Sequence, residues 1–189
     1  TTLMQSDPVT FYVQQGTLFA APFSLSRLET TGPAVPALGG IAADPGSGDA
    51  KLAVSSEGAL VSVPGGATAA TNPIDWMTRD GKTSPLRSTK AAWANPRFSP
   101  DGQKLALDIS DGKQRDIWVY EWSRDTLTQL TFDPGDDVLP VWTPDGRRIA
   151  FQRNLEGSLA FFVKDATVAA SEERVFVSPY LKKPLQWSP

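Results

Sequence analysis

Glycines 58, 102 and 146 stand 44 residues apart, and each closes a short polar turn: Ser55-Ser56-Glu57-Gly58, Ser99-Pro100-Asp101-Gly102 and Thr143-Pro144-Asp145-Gly146. Pro presets φ for the first turn position, Asp bonds back to the backbone and Gly accepts a positive φ. One such turn constrains little, because turns of this kind occur everywhere. Here the flanks repeat as well. Four residues before each glycine comes an apolar residue, Val54, Phe98 and Trp142. Three and five residues after it come Val61 and Val63, Leu105 and Leu107, Ile149 and Phe151, with the small Ser62, Ala106 and Ala150 between them. Three copies in one register define a structural unit of about 44 residues.

Past each turn the chain reads as strands. In the best-defined copy "KLALD" (104–108), "DIWVYEW" (116–122) and "LTQLT" (127–131) are separated by turn-rich segments, and with the strand before the turn they make four per period. Four short strands per period of 40 to 45 residues is the signature of a β-propeller blade. The side-chain pattern favours a propeller over a sandwich. In "DIWVYEW" Ile117 and Val119 face one way and Trp118 and Tyr120 the other, so both faces are apolar, and "LAFFV" (159–163) behaves alike. A strand apolar on both faces is covered on both, as blades packed side by side require, whereas an outer sandwich sheet keeps one face wet. A buried aromatic ring removes about 150–250 Å² from water, worth about 4–6 kcal/mol gross as an upper bound. Trp118, Phe161 and Phe162 are therefore assigned to blade interfaces.

The expected fold is all-β, a β-propeller with four-stranded antiparallel blades, about four in this chain, forming one domain or propeller segment. The blades fall near 9–38, 51–87, 96–131 and 140–177, the first with only three strands, and the start of a next blade falls at 185–189. There "LQWSP" places Trp187 and Pro189 45 residues beyond Trp142 and Pro144. Two outcomes follow: the last strand closes onto the first blade as a four-bladed ring, or the chain is a section of a larger propeller, the preferred reading.

Composition removes several functions. With 189 residues and 40% hydrophobic content the chain can bury a core. Its net charge is −3 and its 18 Lys and Arg are scattered, so no stripe would neutralise phosphates and no nucleic-acid partner is expected. Without histidine, Ser-His-Asp and Cys-His nucleophiles, His general bases and His-ligated zinc are excluded within the chain. Without cysteine there is no disulfide framework, which leaves the compartment open. No run of 18 apolar residues and no secretory signal pattern occurs, so membrane contact by this segment itself is not expected; a parent protein could carry either feature upstream.

The runs "NPRFSPDGQKLALDISDGKQRDIWVYEWSRDTLTQLTFDPGDD" and "LPVWTPDGRRIAFQRN" closely resemble the TolB-like, WD-repeat-like propellers of bacteria. The earlier "GTLFAAPFSLSRLETTGPAVPALGG", "GALVSVPGG" and "IDWMTRDGKTSPL" resemble a subset, the C-terminal propellers of bacterial membrane-spanning serine/threonine protein kinases. The resemblance covers nearly all of residues 9–189. It implies an extracytoplasmic sensing or protein-binding module tethered to a cytoplasmic kinase. No Gly-rich loop, His-Arg-Asp or Asp-Phe-Gly motif occurs here, so no catalytic residue carries over. TolB-like propellers also accompany serine peptidases and some polysaccharide-cleaving enzymes, whose nucleophile elbow and histidines this chain lacks.

Propellers bind at the channel mouth or on a rim of loops. The connections from the last strand of one blade to the first of the next, 88–95, 132–138 and 177–184, are expected on one face. They would offer Trp93 and Tyr180 as aromatic anchors, with Lys90, Lys182 and Lys183 near Asp133, Asp136 and Asp137. Aromatics amid mixed charge suit a protein or peptide partner, or a small ligand, at the loop face or channel. The plainer alternative is a set of ordinary solvated loops. The acidic trio matches no calcium-loop spacing, and Asp-Pro-Gly-Asp is also a plain turn, so neither a metal nor a cofactor is expected. Asp101 and Asp145 are read as turn-formers and Asp116 as a satisfier of backbone amides. The function expected is a non-catalytic sensor or binding module of a larger bacterial signalling protein. The alternatives are a carboxylate-dependent carbohydrate-active enzyme and a structural segment that self-associates into a homo-oligomer through unpaired blade edges.

Overall fold

The computed structural model describes residues 8–43, 50–55, 58–65, 71–78, 81–155, 158–167 and 170–178, and the architecture among them is all-β with no helix. The first blade starts with a hairpin of β1 (Val9–Gln14) and β2 (Thr17–Ser24). Gln15 and Gly16 join them with φ of 50° and 73°, the doubly left-handed two-residue turn that suits strand twist. β3 (Glu29–Thr30) and β4 (Val35–Leu38) both pair with β2, at its two ends, and serve as one interrupted third strand.

The second and third blades form one seven-stranded antiparallel sheet: β5 (Leu52–Val54), β6 (Leu60–Ser62), β7 (Asn72–Met77), β8 (Thr83–Phe98), β9 (Lys104–Ser110), β10 (Arg115–Glu121) and β11 (Thr126–Gln129). β8 pairs with β7 as far as Ala91 and with β9 from Ala92 onward. It is the outer strand of one blade and the inner strand of the next. The segment 88–95, expected as a loop, is therefore strand. Between Pro85 and Pro96 it contains no residue that ends pairing. The fourth blade holds β12 (Asp137–Trp142), β13 (Arg148–Leu155), β14 (Ser158–Asp165) and β15 (Glu172–Ser178) in sequential antiparallel order.

Among the described residues three apolar cores lie where neighbouring blades meet. Leu18 and Ile41 from the first blade and its exit meet Leu60 of the second. Ala53, Val61, Val63 and Ile74 of the second meet Trp93, Leu105, Leu107 and Tyr120 of the third. Ala106, Ile117, Val119 and Leu130 of the third meet Trp142, Ile149, Phe151, Ala160 and Phe162 of the fourth. Successive residues of the middle strands thus feed opposite cores: Leu105 and Leu107 look back while Ala106 looks forward, and Tyr120 looks back while Ile117 and Val119 look forward. Phe162 stacks on Phe151 at 5.7 Å in the last core. Phe161, on the other face of β14, instead stacks on Phe176 at 4.5 Å, and Trp118 is only half-buried, so of the three assigned aromatics Phe162 alone lies in a core between described blades.

The repeat needs one correction. The spacing from glycine aligns Val61 with Leu105 and Ile149, yet it faces the following blade while they face the preceding one. The turn explains it. Ser99 N donates to Lys104 O and Thr143 N to Arg148 O, five residues on, but Ser55 N donates to Ala59 O, four residues on. With one residue fewer after Gly58, Leu60 is the counterpart of Leu105, and a one-residue slip exchanges the faces of a strand.

The inner strands of the third and fourth blades share a bulge. Asn95 and Leu139, 44 residues apart, have φ of 48° and 57°, each precedes a proline, and pairing with the next strand shifts there.

Candidate interaction face

The connector 130–137 is fixed at both ends. Thr131 is fully buried, and its Oγ1 accepts the amide hydrogen of Ile117 at 2.9 Å and donates to Asp116 at 3.4 Å. Asp137 is 0% exposed and accepts two bonds from Arg153, Nε to Oδ1 at 2.6 Å and Nη2 to Oδ2 at 2.8 Å. The same guanidinium donates through Nη1 to Glu172 at 2.5 Å and lies over the Phe162 ring at 4.5 Å. Burial pushes the Asp137 carboxyl above its ordinary value while Arg153 pulls against it. Burial alone would lower the pKa of Arg153, but its bonds to Asp137 and Glu172 prevail and hold it above the ordinary arginine value. A buried two-pronged pair of this kind contributes little net stability but is costly to break from one side.

A second network joins the third blade to the connector. Asp108 is fully buried; it accepts Asn95 Nδ2 at 2.6 Å, Arg115 Nη1 at 2.5 Å and the Leu139 amide at 3.4 Å. It thus touches both bulges. Asp136 accepts the Arg115 amide at 2.8 Å, tying the connector to the turn 111–114. At the deep side Trp142 Nε1 donates to Arg97 O at 3.0 Å. Asp116 is held by the side chains of Gln114 and Thr131 rather than by backbone amides, and burial pushes its carboxyl up. Asp101 and Asp145 behave as turn-formers: Ser99 and Thr143 hydroxyls donate to them at 2.6 and 2.5 Å, as do the amides two residues on. These bonds hold both carboxyls below their ordinary value.

The expected site residues separate accordingly. Trp93 is not an exposed anchor. It is 3% exposed on β8 in the core between the second and third blades, because 88–95 is strand and alternate residues point inward. Lys90 is exposed on the same strand. Of the acidic trio, Asp137 is an interior partner of Arg153 and Asp136 is exposed but bound to a backbone amide, while Asp133, 57% exposed, lies 3.7 Å from Arg153. Tyr180, Lys182, Lys183 and the strand start at 185–189 lie outside the described residues. Sequence reading missed Arg153, Asp108, Glu172 and Phe132. Phe132 is 57% exposed, beside the acidic trio. Its position next to "DPGDD" is the signal the sequence offers.

Among the described residues no group of three His, Cys, Asp or Glu is placed to hold a metal. A cleft of about 170 Å³ opens beside the turn 121–126, lined by Lys104, Glu121, Arg124, Thr128, Ala166 and Thr167 among others. That is smaller than the roughly 300–1,000 Å³ of typical small-molecule sites.

The family model described as "TolB beta propeller domain" matches residues 77–189. The uncharacterized peptidase YuxL of Bacillus subtilis is 31% identical over 102 residues, 50% of this chain and 15% of that protein. The Tol-Pal system protein TolB of Anaeromyxobacter dehalogenans is 40% identical over 45 residues, 24% of this chain and 10% of that protein. This chain therefore spans a small part of either relative. The crystal structure of TolB from Acinetobacter baumannii superposes with a TM-score of 0.62 at 15% identity, covering 89% of this chain and 43% of that one, a likeness of fold.

Proposed function

Because the chain belongs to the TolB beta propeller domain family, we propose that it is a non-catalytic interaction module, taking a protein or small ligand on the connector face of its third and fourth blades. One observation carries this reading: the buried carboxylates of that face are already engaged. Asp108 is held by Asn95 and Arg115, Asp137 by Arg153, and Asp116 by Gln114 and Thr131. Carboxylates held this way fix the shape of a surface. A glycosidase needs two that face a shared substrate, one of them free to exchange a proton.

In the same proposal the module is the interaction or sensing part of a larger bacterial signalling protein and works outside the cytoplasm. The resemblance to kinase-linked propellers supports this context.

The test is a ligand screen by shift of melting temperature, run with an activity screen on polysaccharide and peptide substrates. A binder weakened by Asp133→Asn with no turnover is the expected result. Turnover that survives purification and disappears in Asp116→Asn overturns the proposal in favour of a carboxylate enzyme.

A further inference from the structure

We propose that Phe132 and the carboxylates around it dock a basic peptide segment bearing an apolar side chain, an inference that rests on the proposed function and names its partner chemistry. Phe132 is 57% exposed, yet it does not sit on a slack loop. Its neighbour Thr131 is buried and doubly bonded, Asp137 is locked to Arg153, and Asp136 is tied to Arg115 N. The ring is thus presented from a connector whose shape is already set, so docking on it costs little ordering. A rigid aromatic surrounded by polar groups is the usual centre of a protein interface.

The charge around the ring selects the partner. The Asp136–Arg115 bond brings the turns 111–114 and 132–136 side by side, and their exposed ionisable groups are Asp111, Asp133 and Asp136 against Lys113. That is three carboxylates and one ammonium. Asp111 stays ionised, since the Gln114 and Lys113 amides hold its carboxyl below the ordinary value. Of the neighbouring guanidiniums, Arg115 is paired with Asp108, and Arg153 lies 3.7 Å from Asp133 but also faces Asp137 and Glu172, so its single charge meets more than one carboxylate and the face stays net negative. An acidic segment would be repelled, whereas a basic one gains charge complementarity at the rim and a ring for its apolar residue at the centre.

The probes are two capped pentapeptides, Lys-Leu-Lys-Leu-Lys and Glu-Leu-Glu-Leu-Glu, titrated by calorimetry at 50 and 300 mM salt. The basic peptide binds and the acidic one does not. Phe132→Ser weakens binding about ten-fold, Asp133→Asn weakens it several-fold, and raising the salt weakens it because exposed charges are screened. Both substitutions are at exposed positions, so circular dichroism and the melting temperature stay unchanged. Absence of basic-peptide binding, equal binding of the acidic peptide, or undiminished binding by Phe132→Ser overturns the inference. If a partner of the whole module instead depends on Asp133 and is indifferent to Phe132→Ser, this inference falls while the broader reading stands; if such a partner is indifferent to every connector substitution, the broader reading falls as well.

Discussion

Arg153 shows how one side chain organises its surroundings. It spans Asp137 and Glu172 with paired hydrogen bonds and covers an aromatic ring, almost wholly out of water. Arg153→Met leaves Asp137 buried without its partner, so unfolding free energy in denaturant falls by about 3–5 kcal/mol. Replacing both groups, Asp137→Leu with Arg153→Met, recovers most of that loss; failure to recover would show that the pair itself supplies the stability. Asp116 behaves differently, because burial raises its pKa. The folded chain then takes up this proton more readily than the unfolded one, so the group adds stability as pH falls through its folded pKa and detracts from it above. Asp116→Asn is accordingly at least as stable as the native chain at pH 7, and the advantage shrinks towards pH 4. A melting-temperature difference that grows on acidification contradicts this. At Trp93 the indole Nε1 has no hydrogen-bond partner among the described residues. Trp93→Phe therefore loses no bond and shifts the denaturation midpoint little, whereas Trp93→Ala leaves a cavity costing about 3–5 kcal/mol. Equal losses in the two variants would mean that the nitrogen, not the ring volume, matters.

At the scale of the element, the turns matter most. The turn after Gly58 is one residue tighter than its two counterparts, and the tighter closure puts Leu60 into the core with the first blade and Val61 into the core with the third. Inserting one alanine inside β6, between Leu60 and Val61, therefore presents the following side chains to the wrong neighbour and lowers the melting temperature far more than the same insertion between Gly58 and Ala59, which only lengthens this turn to the closure of its two counterparts. Equal tolerance at the two sites would refute the register. The 44-residue period and the strands of the third and fourth blades were legible because Pro-Asp-Gly turns and apolar runs coincide there. The Gly58 copy misleads because its glycine is the obvious fixed point, and with both faces of each strand apolar a slip of one leaves the pattern looking intact. The run 88–95 falls where the repeat places a connection between blades, but no Gly or Pro interrupts it and pairing continues through it. The buried carboxylates were visible as residues, but their arginine partners are brought near by pairing across strands, which spacing along the chain does not reveal.

For the whole molecule, the three interfaces are unequal. The core between the third and fourth blades contains Trp142, Phe151 and Phe162, whereas the buried core between the first and second is Leu18, Ile41 and Leu60. That first junction also depends on a close backbone approach: Gly65 N donates to Gly40 O at 2.7 Å, and a Cβ on Gly65 would collide with the Ala42 backbone. Amide exchange is therefore expected to be slowest in β9, β10, β13 and β14 and fastest in β1–β4, since opening follows the least buried contacts. Mass-spectrometric exchange showing β1 and β2 as slow as β10 would refute the ranking. β8 adds a constraint of another kind. Because one unbroken strand belongs to two blades, tension across that seam runs along covalent bonds instead of shearing side chains apart. Those two blades are therefore expected to move together, with any spreading between neighbours taken up at the seams on either side.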